Sequence, residues 1–187
     1  MTRSFTGEPV DLDWLEGACA HALRAPTAGN TGGVRMTVIG RDALGDYLER
    51  ATDAAWREKS RRLEGLSRAA ALVVVTSRPH DYLRRYGEPD KAPSGLSDAS
   101  AWPVPYWHTD AAMATMALLL LVSEARLGAA IWGNFRHEQR VLEWLGHTDE
   151  ALFATVFVGS PDHLDPPSTS RARPLPPTGQ RVRRWPD

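Results

Sequence analysis

The segment from Ala111 to Val122 constrains the fold more than any other part of the sequence. Nearly every residue in it is apolar, and neither Pro nor Gly interrupts it. Thr109 and Asp110 have short oxygen-bearing side chains that are suited to capping the first turn of a helix. Gly128 stands where a left-handed residue would close that helix. A helix without a polar face must be buried on all sides, either inside the domain or between two copies of the chain.

The composition excludes several classes of protein. A transmembrane helix needs about 20 apolar residues, and Asp110, Glu124 and Arg126 bracket a shorter run. Twenty-two basic and 23 acidic residues leave a formal charge of −1. That balance gives no support to nucleic-acid or membrane binding, and the acidic N-terminus does not resemble a secretory signal. Cys19 is the one cysteine, predicted to be a packed thiol in a reducing compartment, so we expect a cytoplasmic protein.

Helical and strand patterns mix without the regular alternation of a doubly wound sheet, which favours an α+β fold. Helical spacing predicts helices over Leu12–Leu23, Asp42 to about Ser67, and His137–Leu145. Apolar and β-branched runs predict strands at Val34–Ile39, Ala69–Thr76, Ala129–Trp132 and Ala151–Val158. Ser77–Trp102 is polar and rich in Pro and Gly, so we expect a long loop such as a lid.

We expect one domain over residues 1–187. Its last part, residues 160–187, is rich in Pro and Arg and cannot form a core of its own. We therefore expect this tail to extend over its own domain or over a partner copy.

Three segments are candidates for ligand binding. The first is Ala25-Pro26-Thr27-Ala28-Gly29-Asn30-Thr31, in which Gly29 allows the backbone to approach a flat ligand and its polar neighbours offer hydrogen bonds. The second is Leu127–Phe135, where small residues leave space beside the backbone. The third is Arg171-Ala172-Arg173, whose guanidinium groups suit a phosphate. Taken singly, residues 25–31 are also explained as a turn between a helix and a strand, and residues 171–173 as a solvent-exposed basic surface.

Together these segments resemble the flavin-dependent nitroreductase family, over most of the chain. The lead-in from Arg3-Ser4-Phe5 to Pro9-Val10 is similar to that family's N-terminal Arg/Ser motif, and residues 25–31 to its Ala-Pro-Ser-Ala-Gly-Asn segment. Residues 110–128 resemble its long interface helix, which ends in Gly-Leu-Gly. Gly159-Ser160-Pro161 resembles its Gly-x-Pro, and residues 171–173 resemble its basic pair. The order and spacing of these segments carry the resemblance, since no single one is specific.

The resemblance implies a nitroreductase-like α+β fold with a central, mostly antiparallel sheet flanked by helices, a long buried interface helix and an extended C-terminal tail. It also implies a homodimer that binds two FMN molecules at the interface. One chain would contact the flavin through Arg3, Ser4, Ile131, Trp132 and Gly133, with the Trp132 amide facing N5, and through Arg171 and Arg173 at the phosphate. The other chain would contribute Pro26, Thr27, Ala28 and Asn30.

The family's chemistry belongs to its cofactor, so we expect no catalytic acid, base or metal ligand in the protein. The resemblance implies hydride transfer from NADH or NADPH to a small electron-poor acceptor such as a nitroaromatic, quinone or flavin, in a ping-pong order. Tyr106 and Trp107 are candidate substrate contacts, although core or dimer packing explains them as well. Arg57 and Lys59 are weaker candidates for flavin contacts.

Two alternatives remain open at this stage. The long Ser77–Trp102 segment suits a substrate-specific biosynthetic dehydrogenase or dehalogenase on the same fold. The short stretch before Arg3, where the family usually has further Arg and Ser residues, suits a non-catalytic flavin-binding dimer.

Overall fold

The computed structural model describes residues 1–163, 169–182 and 184, without the side chains at positions 169, 171 and 180. These residues form a four-stranded antiparallel sheet in the order β1-β2-β4-β3. The strands are β1, Val34–Gly40; β2, Ala71–Ser77; β3, Gly128–Trp132; and β4, Ala151–Gly159. The predicted α+β fold with a central antiparallel sheet is confirmed, and the four predicted strands are present with small shifts at their ends.

Helices cover both faces of the sheet. The helices of the described residues are α1, Leu12–Ala22; α2, Leu44–Ala51; α3, Ala54–Lys59; α4, Leu63–Leu66; α5, Pro79–Tyr86; α6, Tyr106–Glu124; α7, Glu138–Leu145; and, in the tail, α8, Thr178–Arg181. On one face α1 and α6 pack against Val73 and Val75 of β2, while on the other α2 and α7 pack around Leu72 and Val74. Every residue of β2 is buried, which confirms the prediction of a strand buried on both faces.

The long helix α6 begins earlier than its sequence predicts. Pro105 precedes its first turn, so Thr109 and Asp110 lie inside the helix and the prediction that they cap it is wrong. The left-handed residue after the helix is Arg126, with φ of 61°. Gly128 instead opens β3, where a Cβ atom would stand 2.6 Å from Thr2 Oγ1. The glycine is therefore needed for a close approach of the N-terminal lead-in.

Helix α6 is buried on one side only in the single chain. Ala111, Ala114, Leu118 and Val122 face the sheet and are almost inaccessible. The opposite side exposes 41% of Met113, 53% of Met116 and 60% of Leu120. The first alternative, burial entirely inside one domain, is therefore wrong, and Met113 and Met116 do not pack in the core of the single chain. An apolar exposed side agrees with the alternative of burial between two copies.

The predicted helix from Asp42 to Ser67 is three short helices. Thr52 is extended, with φ of −135° and ψ of 162°, and separates α2 from α3. Asp53 then caps α3, because its Oδ1 accepts the Trp56 backbone N–H at 2.7 Å. An Asp that bonds the backbone ahead of it favours a new helix start over continuation of the old one.

The segment Ser77–Trp102 contains a helix and two short turns, so the prediction of a loop is wrong over α5. Pro79 occupies the first turn of α5, where its missing N–H costs nothing. Tyr82 is fully buried. Further turns at Ala92–Ser94 and Ala99–Ala101 lead to the buried Trp102.

The described part of the C-terminal tail contains a short turn at Thr169–Ala172 and helix α8. Residues 172–179 are exposed, so this part of the tail is not covered by the described part of its own domain, and the alternative of a partner copy stays a prediction. Within the described ranges, none of the helices is both long and apolar enough to span a bilayer. Cys19 is buried, which confirms the packed thiol, and its burial raises the pKa to about 11.

Candidate functional site

A groove lies along β3, on the side facing the α3–α4 connection. Its volume is about 300 Å³. We call it the basic groove because Arg3, Arg61 and Arg62 line it beside Ser60, and its described lining contains no carboxylate. The indole side chains of Trp56 and Trp132 and the exposed Ile131 form its apolar wall.

Two of the arginines that line the basic groove, Arg61 and Arg62, are not used for contacts within the described chain. Other arginines are bound internally: Arg68 Nη2 lies 3.1 Å from Asp162 Oδ2, and Arg57 donates to Thr52 O at 3.0 Å. By contrast, the side chains of Lys59, Arg61 and Arg62 make no hydrogen bond or ion pair with any described residue. Unpaired cations beside aromatic walls are suited to a planar anionic ligand.

Two local features bring Arg3 to this groove. The backbone of Thr2 donates to Ala129 O at 2.8 Å, which fixes the lead-in along β3. The lead-in then crosses α4 at Gly65, where a Cβ atom would stand only 2.3 Å from Arg3 O. The absence of a side chain at Gly65 therefore determines how close Arg3 comes to the α4 side of the groove.

Strand β3 presents backbone groups to the groove. Because Ala129 O bonds Thr2 and not β4, alternation along an antiparallel strand also turns the N–H of Ile131 toward the open edge. The same alternation points the N–H of Trp132 toward its partner Thr155 in β4. Among the β3 residues that line the groove, the N–H that faces the open edge is thus that of Ile131, one residue before the position that the family resemblance implied.

The Trp56 and Trp132 rings separate the basic groove from a second depression. The rings are stacked, with centroids 5.3 Å apart and an interplanar angle of 23°. The second depression has a volume of about 290 Å³ and is lined by the same two rings and by residues 51–53 and 133–137. Gly133 lies here, with the Phe135 ring against its Cα, so that a Cβ would meet that ring at 2.4 Å.

A buried polar network supports the floor of this second depression. The Tyr47 hydroxyl donates to Thr155 Oγ1 at 2.7 Å and accepts from Asn134 Nδ2 at 3.0 Å. Burial raises the pKa of Tyr47 to about 12, so the hydroxyl remains protonated at neutral pH. At the rim, the Trp56 N–H and then the nearby His137 hold the pKa of Asp53 below its usual value. The depression therefore has a neutral floor and a charged rim.

The predicted flavin-contacting loop, residues 26–31, lies on the α5–α6 side of the molecule. Gly29 and Asn30 are both left-handed, with φ of 64° and 54°. Within the loop, Gly32 N–H donates to Thr27 Oγ1 at 3.0 Å. The Ala28 N–H donates to Asp110 Oδ2 at 2.8 Å, so the buried carboxylate inside α6 anchors this loop. Pro26 and Asn30 are exposed.

An aromatic cluster surrounds the beginning of α6. Trp102 stands at its centre, with ring centroids 5.8 Å from Tyr106, 5.9 Å from Trp107 and 4.7 Å from Tyr86. Tyr106 retains 43% of its surface. Burial and the hydrogen bond to Asp110 raise the pKa of the neighbouring Tyr82 above its usual value.

The structure brings some of the predicted site residues together and separates others. Arg3, Ile131 and Trp132 line the basic groove, and Gly133 lies just beyond it. Ser4 does not line it, because its hydroxyl accepts from Arg68 Nη2 at 2.9 Å and donates to Asp162 Oδ2 at 3.2 Å. Residues 26–30 line neither the groove nor the second depression, as expected if they contact the flavin of another chain.

Arg173 of the predicted phosphate-binding pair is not among the described residues that line the basic groove. Arg173 is exposed in the tail, and the side chain of Arg171 lies outside the described residues. Sequence reasoning missed Arg61 and Arg62, although Arg-Glu-Lys-Ser-Arg-Arg at 57–62 contains four basic residues and one acidic residue. The weaker candidate Arg57 is a backbone clamp that donates to Thr52 and Glu49 carbonyls.

Comparisons with known proteins identify a family and several solved structures with the same fold. The family model described as the nitroreductase family matches residues 1–160. No curated protein sequence matches the chain. The structure resembles the Lactococcus lactis nitroreductase CinD in complex with nicotinic acid, with a TM-score of 0.71, 15% identity and coverage of 95% of this chain and 94% of that one.

Two further solved structures have the same fold. A nitroreductase family protein from Streptococcus pneumoniae TIGR4 gives a TM-score of 0.69 at 18% identity, over 98% of this chain and 94% of that one. A provisionally named nitroreductase in complex with FMN from Desulfovibrio desulfuricans gives 0.64 at 18% identity, over 100% and 91%. Identities this low establish the fold alone, whereas the family model covers most of the sequence. The chain therefore belongs to the nitroreductase family.

Proposed function

We propose that this protein is an FMN-dependent oxidoreductase that transfers hydride from NADH or NADPH to a small electron-poor acceptor. The observation that carries the proposal is the basic groove, in which the unpaired guanidinium groups of Arg61 and Arg62, two indole rings and an open strand edge meet. Membership of the nitroreductase family and the FMN named for one structural relative support the choice of cofactor.

The residues of the basic groove fit such a cofactor chemically. Arg61 and Arg62 offer fixed positive charge to its phosphate or to the pyrimidine carbonyl groups, and Arg3 lines the same groove. The Ile131 N–H is available as a hydrogen-bond donor, and the Trp132 and Trp56 rings offer aromatic surface. When bound, FMN supplies the hydride chemistry itself, and the protein supplies binding, orientation and positive charge.

We propose a homodimer formed through the exposed side of α6. Met113, Met116 and Leu120 form an apolar stripe at helical spacing, which is costly to leave in water. The predicted flavin contacts of Pro26, Thr27, Ala28 and Asn30 are kept as part of this proposal, because the loop is anchored to the same helix through Asp110. Tyr106 and Trp107, at the start of α6, remain the proposed acceptor contacts.

The reductant and the acceptor would use the same flavin face in turn, which gives ping-pong kinetics. Steady-state assays with each combination of reductant and acceptor distinguish NADH from NADPH and identify the acceptor. A cytoplasmic location belongs to the same proposal, since the reductant is regenerated there.

Flavin titration tests the proposal directly. The purified protein should bind FMN, seen as quenching of flavin fluorescence and as a rise in the unfolding temperature. The double variant Arg61→Glu and Arg62→Glu should lose at least tenfold in affinity, because two charge-assisted contacts become repulsive. The matched control is Arg140→Glu on α7, an exposed charge reversal that is not part of the groove.

A protein that binds no FMN, or a double variant that binds it as tightly as the control, would refute the assignment of this groove. Rapid mixing of the FMN-bound protein with NADH and with NADPH separates an enzyme from a non-catalytic flavin binder. Bleaching of the flavin absorbance within the mixing experiment is the expected result.

A further inference from the structure

Arg85 of α5 connects the predicted flavin-contacting loop, residues 26–31, to the segment that follows α5. We call this loop the flavin loop. Its Nε–H donates to the carbonyl of Gly29 at 2.9 Å. Its two terminal nitrogens bind both carboxylate oxygens of Asp90 at 2.7 Å, and Nη1 also lies 2.9 Å from Glu88 Oε2. One planar guanidinium therefore holds the loop with one edge and an acidic turn with the other.

Contacts from both α5 and α6 hold the loop near Gly29. From α6, Asp110 Oδ2 accepts the Ala28 N–H at 2.8 Å and also the Tyr82 hydroxyl at 2.9 Å. From α5, the Tyr86 ring stands 2.9 Å from the place of a Cβ at Gly29, whose φ is 64°. The conformation of the loop thus depends on contacts from α5 and α6 as well as on its own turn.

The acidic turn leads into a continuous cover over the beginning of α6. We call residues 87–105 the covering segment. Within it, Trp102 Nε1–H donates to Leu96 O at 2.7 Å, and the Trp102 ring packs on Tyr86 and on Tyr106. The Arg85–Asp90 pair therefore connects the loop at residues 26–31 with the segment that carries Trp102, whose ring contacts Tyr106.

We propose that Arg85 is a positioning residue that sets the flavin loop and the covering segment relative to one another. This inference rests on the proposed function, because it assumes that residues 26–30 reach a flavin. In this arrangement Arg85 touches neither cofactor nor acceptor. It acts by holding the Gly29 carbonyl and the acidic turn at a fixed separation.

A purely structural role would have a different signature. Glu88 and Asp90 are 51% and 61% exposed, and ion pairs with exposed partners contribute little to global stability. Loss of the clamp should therefore leave the unfolding temperature almost unchanged while it loosens the loop. A residue that served stability alone would show the reverse.

The experiment compares Arg85→Lys with Arg84→Lys, a neighbour on the same helix whose side chain is 64% exposed and pairs with Asp81. Lysine keeps the charge but cannot reproduce the fork that binds Asp90 and Gly29 together. For Arg85→Lys we expect faster amide hydrogen exchange in residues 26–31, and about a tenfold rise in both the FMN Kd and the acceptor KM, with kcat changed less than twofold.

Asp90→Asn provides a second variant that cannot plausibly prevent folding, since the residue is exposed. It removes the ion pair and keeps the bond from Arg85 to Gly29, so its effects should have the same direction and a smaller size. Arg84→Lys should behave as the unmodified protein in loop hydrogen exchange, FMN Kd, KM, kcat and unfolding temperature.

Two results would overturn the inference: unchanged hydrogen exchange in the loop of Arg85→Lys, or a lower unfolding temperature with unchanged FMN Kd and KM. Failure of the proposed function is recognisable separately, because the unmodified protein would then bind no FMN. If the unmodified protein binds FMN and Arg85→Lys binds it equally well, only the positioning role is lost.

Discussion

Gly65 offers the sharpest test of how the lead-in is held, because the same substitution should have opposite signs at two helical glycines. At Gly17 in α1, no heavy atom lies within 4 Å of an added Cβ. At Gly65 in α4, the added Cβ would stand 2.3 Å from Arg3 O and 3.0 Å from the Cα of Ser4. Both obstacles at Gly65 are backbone atoms, which cannot rotate away.

The magnitudes follow from these distances. Gly17→Ala should stabilise by up to about 1 kcal/mol, the difference in helix propensity between the two residues. At Gly65 an ordinary contact requires the lead-in to move by roughly 1 Å. That shift strains the bonds from Thr2 N–H to Ala129 O and from Asp162 N–H to Ser4 O. Overpacking costs about 1–3 kcal/mol, and straining the two bonds costs about 1 kcal/mol in total. The gain in helix propensity offsets up to about 1 kcal/mol, so we expect a net loss of about 2 kcal/mol.

Urea and thermal unfolding of both variants, measured without added flavin, provide the assay. Gly17→Ala should raise the midpoint by roughly 2–4 °C and Gly65→Ala should lower it by roughly 4–8 °C. Gly65→Ala should also weaken FMN binding, since Arg3 moves with the lead-in. If Gly65→Ala were as stable as Gly17→Ala, the close crossing of lead-in and α4, and with it the position of Arg3, would be refuted.

Three further substitutions or treatments test other parts of the structure. Tyr47→Phe should lower the free energy of unfolding by about 1–3 kcal/mol in urea titrations, because Asn134 and Thr155 lose a buried partner; an unchanged midpoint would contradict that network. Cys19 should resist thiol reagents at pH 8 until the protein unfolds, and its raised pKa, about 11, means that its stabilising effect is complete below pH 9 and is lost as pH rises toward 11. Met116→Asp should abolish or weaken dimerisation in analytical ultracentrifugation, whereas Met116→Leu should not; a normal dimer from the Asp variant would place the interface elsewhere.

Sequence patterns predicted the strands and the fold class well because both depend on local periodicity. They failed where a tertiary partner decided the outcome. Asp110 has the chemistry of a helix cap, yet its oxygen bonds the Ala28 amide and the Tyr82 hydroxyl from other elements. Pro79 was expected to break any regular structure, but at the first turn it starts α5.

The candidate site was predictable in part. Arg3, Ile131 and Trp132 follow from the family resemblance and do meet at one groove. Arg61 and Arg62 look like a solvated helix face in the sequence. What distinguishes them from other exposed arginines is their position opposite β3. That position results from the turns that separate α3 from α2 and from α4.

The choice of backbone donor could not come from the sequence either. Neighbouring residues of a strand point their N–H groups in opposite directions. The register of β3 with β4, in which Trp132 pairs with Thr155, decides that Ile131 faces the open edge. A shift of one residue in that register would have exchanged the two roles.

The complete burial of β2 has a consequence for synthesis on the ribosome. Its sequence Ala-Leu-Val-Val-Val-Thr-Ser is apolar, uncharged and β-branched, a composition prone to intermolecular association while it lacks partners. One partner, β1, precedes it, but the other, β4, ends at Gly159 and is translated long after Ser77. At roughly 5–20 residues per second, a nascent chain carries this strand half-paired for roughly 4–16 s. Slow translation or a shortage of chaperones should therefore reduce the yield of soluble protein, because β2 associates with other chains while it lacks β4. A chaperone that binds exposed apolar segments such as β2 should restore that yield.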